Sequence, residues 1–134
     1  MGLIRKLTRV FRQQGAFNRR RYVRYKPQEL LECICEYTRL GQTIELKAEV
    51  VNISQAGVLL ITDEHKIFPD YILTMKFTLP SRKEAIVVRG TVLRTFRRRA
   101  ERWYFSAVAF QDNQEEALQQ ILAFVTSCNA RYPQ

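Results

Sequence analysis

From Glu29 to Phe110 apolar and polar residues alternate in short runs separated by turn-forming residues, the pattern of half-buried antiparallel strands. In "ELLECICEYT" Leu31, Cys33, Cys35 and Tyr37 share one face by period two, and Gly41 in "RLGQT" marks a hairpin turn. In "TIELKAEVVN" Ile44, Leu46, Ala48 and Val50 alternate with Glu45, Lys47 and Glu49, an inside and outside pattern. Further strands follow: "GVLLIT" from Gly57, "YILTMKFTL" from Tyr71 up to Pro80, and the long "AIVVRGTVLRTF" from Ala85. The run "RRRAER" then turns the chain into "WYFSAVAF" from Trp103. Gly90, inside the longest strand, is the expected place for a bulge or bend. Six strands with few helices predict a closed antiparallel barrel, a mainly β fold.

The two ends read differently. Within residues 1–17, Leu3, Ile4, Leu7, Val10 and Phe11 fall on one helical face, with Arg5, Lys6, Arg9 and Arg12 around it and Gly15 beyond. This predicts a basic amphipathic N-terminal helix, whose apolar side could rest on the domain itself, on a partner protein or on an anionic membrane surface. From Asp112 the spacing turns helical again. Asp112 and Glu115 have capping-box spacing, and Leu118, Ile121, Leu122 and Val125 form an apolar stripe, predicting a C-terminal helix over 113–128. The expected organisation is therefore an arm over 1–17 and a single domain over 18–134.

Charge narrows the class of partner. The 134 residues carry 22 Lys and Arg against 13 acidic residues, a net +9 that favours anionic ligands. Arginine greatly outnumbers lysine, and its planar fork suits phosphate and the O6/N7 edge of guanine. Three cysteines without a secretory signal argue against a disulfide framework and for a cytoplasmic chain. No apolar run approaches the roughly 20 residues that span a bilayer, so any membrane contact would be peripheral through residues 1–17. The start "MGLIRK" lacks the Ser or Thr of a myristoylation signal.

Catalysis finds no support in the residues. His65 is the only histidine and lies in the polar loop "TDEHKIF". Cys33 and Cys35 have strand spacing rather than the spacing of a zinc site, and Cys128 is remote. There is no GxxxxGK and no GxGxxG, and no pair of carboxylates stands in an apolar setting. No enzyme, metal or cofactor is expected.

Two segments do carry a binding pattern. "NRRRYVRYKP" contains Arg20 and Arg24 as RxxxR, just ahead of the first strand. "NISQAG" contains Asn52, Ser54 and Gly57 as NxSxxG, where the second strand hands over to the third. Asn and Ser there can hold a tight turn, and Gly57 can supply positive φ or let a ligand approach the backbone. RxxxR alone is cheap in this chain, recurring at Arg5/Arg9, Arg94/Arg98 and Arg98/Arg102, whereas NxSxxG occurs once.

In this order and spacing the two motifs resemble those of the PilZ family, RxxxR and [D/N]xSxxG. The resemblance covers the chain from about Asn18 through the sixth strand. It implies a six-stranded antiparallel PilZ-type β-barrel with flanking helices, and binding of the bacterial second messenger cyclic di-GMP without catalysis. Arg20 and Arg24 would clamp guanine or phosphate, Asn52 would meet a guanine edge or frame the turn, and Ser54 would reach guanine or phosphate. Gly57 would serve through its backbone. Arg19, immediately ahead of RxxxR, stands where the family decides between one nucleotide and a stacked pair. Arg21 and the run Arg97–Arg99 with Arg102 read as solvated charge, and Trp103, Tyr104 and Phe105 as barrel core and rim. The resemblance further implies a downstream protein partner, in motility, pilus or biofilm machinery, that would sense a change in residues 1–17. Two other functions fit the composition: a basic barrel that holds single-stranded nucleic acid, and a PilZ-like protein-interaction domain without nucleotide.

Overall fold

The computed structural model of the chain describes residues 23–63, 66–80, 82–98 and 100–131, with side chains up to Ser127. The expected N-terminal helix, Arg19, Arg20, Arg21, His65, Arg99 and the Cys128 side chain lie outside the described residues.

Six antiparallel strands follow in order: β1 (Glu32–Arg39), β2 (Gln42–Ile53), β3 (Gly57–Asp63), β4 (Ile72–Phe77), β5 (Ile86–Phe96) and β6 (Trp103–Phe110). They close into a barrel in the order β1-β2-β3-β6-β5-β4, with β1 bonded to β4. Closure leaves no open sheet edge among these strands. The alternation read from the sequence becomes the barrel interior: Cys33, Cys35, Leu46, Ala48, Val50, Leu73, Met75 and Val88 are all buried in one cluster. The Cys33 and Cys35 sulfurs lie 3.7 Å apart there. Hydrogen bonding to Cys35 and burial push the Cys33 thiol up, so the pair behaves as buried apolar filling.

Several connections depend on special backbone. β1 and β2 pair from Arg39↔Gln42, which leaves Leu40 and Gly41 as a two-residue loop at φ 51° and 79°. Positive φ at both positions is the requirement of a type I′ hairpin turn. Gly90 does not bulge: it pairs in register with Leu73 and Phe110. Its need for glycine is space, because a Cβ there would meet Val108 Cγ1 at 2.5 Å and the Ala109 carbonyl oxygen at 2.8 Å. The β5 irregularity instead falls between Val92 and Arg94, and a second one falls between Val50 and Asn52 in β2.

The C-terminal helix spans Glu115–Arg131, not 113–128. Its stripe of Leu118, Ile121, Leu122 and Val125 joins the interior cluster, as the spacing predicts. The expected Asp112–Glu115 capping box does not form, because Asn113 takes a left-handed φ of 65° and delays the first turn. Gln114 leads the helix in its place. Its Oε1 accepts from the Arg89 backbone N–H at 2.6 Å, and its Nε2 donates to the carbonyls of Arg89 and Gln111 at 2.8 and 2.9 Å. The start of the helix is thereby fastened to β5.

Candidate functional site

The NxSxxG segment lies at the β2–β3 hairpin. Continuing the period of Leu46, Ala48 and Val50 would send Asn52 into the interior. The bulge at Val51 changes the phase, since Val50 pairs with Leu60 while Asn52 pairs with Leu59. Ile53 therefore turns inward, fully buried, and Asn52 turns to the outer face beside Leu59. A single extra residue thus presents the amide.

Ser54 holds the turn that follows. Its backbone N–H donates to the Gly57 carbonyl at 2.9 Å, and its Oγ accepts from the backbone N–H groups of Ala56 and Gly57 at 3.1 and 3.3 Å. The side chain is buried at 7% exposure, so most of its bonding capacity is used within the turn. Gly57 opens β3 opposite Ala109. It does not adopt positive φ, which among the described glycines is confined to Gly41. A strand residue has extended backbone, so the freedom expected of Gly57 is not used as φ.

The arginine arm is tied to the same place. Tyr25 and Ile53 exchange both backbone bonds, Tyr25 N to Ile53 O at 2.8 Å and Ile53 N to Tyr25 O at 2.9 Å. Tyr25 also packs against the interior cluster, which in extended backbone turns exposed Arg24 toward the outer side. The pairing is antiparallel, so Arg24 lies on the Ser54 side of the Tyr25–Ile53 bridge. Arg24, Asn52, Ser54 and Gly57 are thus brought to one end of β2 and β3, while Arg19 and Arg20 lie outside the described residues.

Beside this turn the outer face is apolar. Leu59, Phe105 and Ala107 are buried there, with Val51, Ile61 and Phe96 packed against them. Phe105 therefore belongs to an outer cluster and not to the barrel interior, because Ile61 and Phe105 are partners on the outward phase of β3 and β6. Its ring stacks on Phe96 at 5.2 Å, and the Arg98 guanidinium lies 4.6 Å from its centroid on the ring face. Arg97 lies over Tyr104 at 5.6 Å, and Arg102 Nε pairs with Asp63 at 3.2 Å. All three arginines are exposed, as expected of solvated charge, and each also has a local partner. The missed signal was in the strand sequences: "GVLLIT" and "FSAVAF" are apolar on both faces, which a strand with one wet face is not.

The arrangement can receive a planar, anionic ligand: a cation on an anchored arm, an amide with donors and an acceptor, and an apolar wall alongside. Comparisons with known proteins agree in fold. The structure resembles the PilZ domain of YcgR with c-di-GMP from Escherichia coli, with TM-score 0.65 and 13% identity over 84% of this chain and 93% of that one. It also resembles the Bacillus subtilis inhibitor of motility MotI/DgrA (TM-score 0.55, 18% identity, 82% of this chain, 49% of that one). A third similar structure is the MrkH–c-di-GMP complex of K. pneumonia (TM-score 0.55, 14% identity, 83% of this chain, 54% of that one). This chain thus spans about half the length of MotI/DgrA and of MrkH. No curated protein matches the sequence significantly. The PilZ domain model matches residues 18–127, most of the sequence, and the chain belongs to the PilZ family.

Proposed function

We propose that this protein is a non-catalytic receptor for cyclic di-GMP, and that the arginine arm closes on the nucleotide against the NxSxxG turn. The observation that carries this reading is the joining of the two motifs by the Tyr25–Ile53 backbone bridge, one residue from Arg24 and one from Asn52. Two of the similar structures, those of YcgR and MrkH, are described with c-di-GMP, which supports the same ligand here.

Each residue then has a role set by its chemistry. Arg20 and Arg24 supply guanidinium forks for guanine O6/N7 or phosphate oxygens. Asn52, turned outward by the bulge, meets the guanine edge with an amide that both donates and accepts. Ser54 contributes by holding the turn that sets the position of Asn52. Gly57 contributes backbone, and Arg19 stacks on or bonds to a second nucleotide. Closing of the arm changes what residues 1–17 contact, and a downstream protein partner senses that change.

Hydrogen exchange tests the reading on both segments at once. With saturating cyclic di-GMP, peptides covering 18–26 and 52–57 are expected to gain protection together, while β4 peptides stay unchanged. Unaltered exchange in both segments would contradict it.

A further inference from the structure

A surface groove of about 440 Å³ crosses the middle of β2 at Lys47–Glu49, the end of β3 remote from the Ser54–Gly57 turn, and the start of β6. Ile61 and Trp103 supply its apolar lining, and Glu32, Glu49 and Asp63 its carboxylates. Trp103 is 37% exposed, large for the only tryptophan in the chain. The carboxylates have an unusual placement. Glu32 and Glu49 are directly opposite across β1 and β2, a like-charge cross-strand pair of the kind that destabilises a sheet.

A second such pair, Glu36↔Glu45, lies further along the same ladder, but there Lys76 reaches Glu36 at 2.7 Å. Among the described residues no cation stands within ion-pair distance of Glu32 or Glu49. Lys47 lines the groove without pairing with either, and Arg102 is taken by Asp63. The site therefore combines exposed apolar surface with two carboxylates that lack a counter-charge, in a chain of net +9.

We infer that this groove docks the chain's own amphipathic segment, residues 3–12. Its apolar side, Leu3, Ile4, Leu7, Val10 and Phe11, matches Ile61 and Trp103, and Arg5, Lys6, Arg9 and Arg12 supply the missing cations. Long basic side chains can lay their stems on apolar surface while their heads reach the carboxylates.

The connection is long enough. Glu49 lies four residues before Ile53, about 14 Å along β2 from the point where Tyr25 is anchored. Residues 13–22 extend to about 33 Å at most, which allows the segment to return over the strands. Docking neutralises the Glu32–Glu49 repulsion and covers Trp103. The groove's β2 lining, Lys47 to Glu49, ends three residues before Asn52 and includes neither Asn52 nor the Ser54–Gly57 turn.

Lys6 is the only lysine among residues 1–22, so carbodiimide coupling of the full-length protein reports the contact directly. The expected product is an intrachain amide between Lys6 and Glu32 or Glu49, mapped by mass spectrometry. Its yield is expected to fall about tenfold in Leu7→Asp, the factor set by losing one buried leucine. The emission of Trp103 is expected to shift to the red in the same variant and to become more readily quenched by acrylamide. Coupling of Lys6 only to other carboxylates would overturn the inference. So would amides formed solely between isotopically distinct chains, or Trp103 emission and quenching identical in wild type and variant.

Discussion

Ser54 illustrates how a binding-motif residue can act through structure. Its hydroxyl oxygen accepts two turn N–H groups in a buried position. Ser54→Ala is therefore expected to cost about 1–3 kcal/mol, the penalty for unsatisfied buried donors. Thermal or urea unfolding measures that cost, and nucleotide affinity should fall with it because Asn52 loses its support. Gly90 makes a different demand. Gly90→Ala places a methyl group 2.5 Å from Val108 Cγ1 and 2.8 Å from a backbone oxygen, and overpacking of this kind costs about 1–3 kcal/mol. A denaturation midpoint equal to wild type would show that the strands can move apart. At this scale the turn-holding part of Ser54 was legible from residue type and spacing. The outward position of Phe105 was not, since an aromatic in an apolar run fits either face of a strand.

Elements were legible as far as local pattern defines them. Strand positions and the helical stripe followed from period, but the bulges did not, because each is a mismatch between two strands and appears in neither alone. The helix start moved for a local reason, the left-handed Asn113. In the β1–β2 turn, Leu40 is 92% exposed and held at φ 51°, a region that costs most L-residues about 1–2 kcal/mol. Leu40→Asn is expected to raise stability by up to about 1 kcal/mol, because Asn tolerates this region; a lower unfolding midpoint would refute that.

The Glu36–Lys76 pair gives a pH signature across β1 and β4. Its hydrogen bond and charge lower the Glu36 pKa, so this contribution is present above the ordinary carboxylate range and lost as pH falls through the lowered value. Lys76 is raised by the same bond, so its contribution is present below the ordinary lysine range and lost as pH rises through the raised value. The difference in melting temperature between wild type and Glu36→Gln should be flat between about pH 6 and 9 and should shrink toward acid. A difference independent of pH down to full carboxyl protonation would contradict the assignment.

On the scale of the whole molecule, the pairing of the arm with the end of β2 brings together segments about 30 residues apart in sequence. The arm reaches the end of β2 through two backbone bonds, and the β2 bulge turns Asn52 to the outer face. The sequence contained both motifs and their order, yet not the Tyr25–Ile53 bridge that makes them neighbours. The most direct measurement is calorimetric titration of cyclic di-GMP into wild type, Arg24→Ala and Asn52→Ala, each shown to melt as wild type does. Wild type is expected to bind, with stoichiometry near two if Arg19 holds a second nucleotide. Each variant is expected to lose about tenfold or more in affinity, the worth of a good bidentate contact of about 1–3 kcal/mol. Absence of binding by folded wild type, or equal affinity in all three proteins, would contradict the assignment of this site.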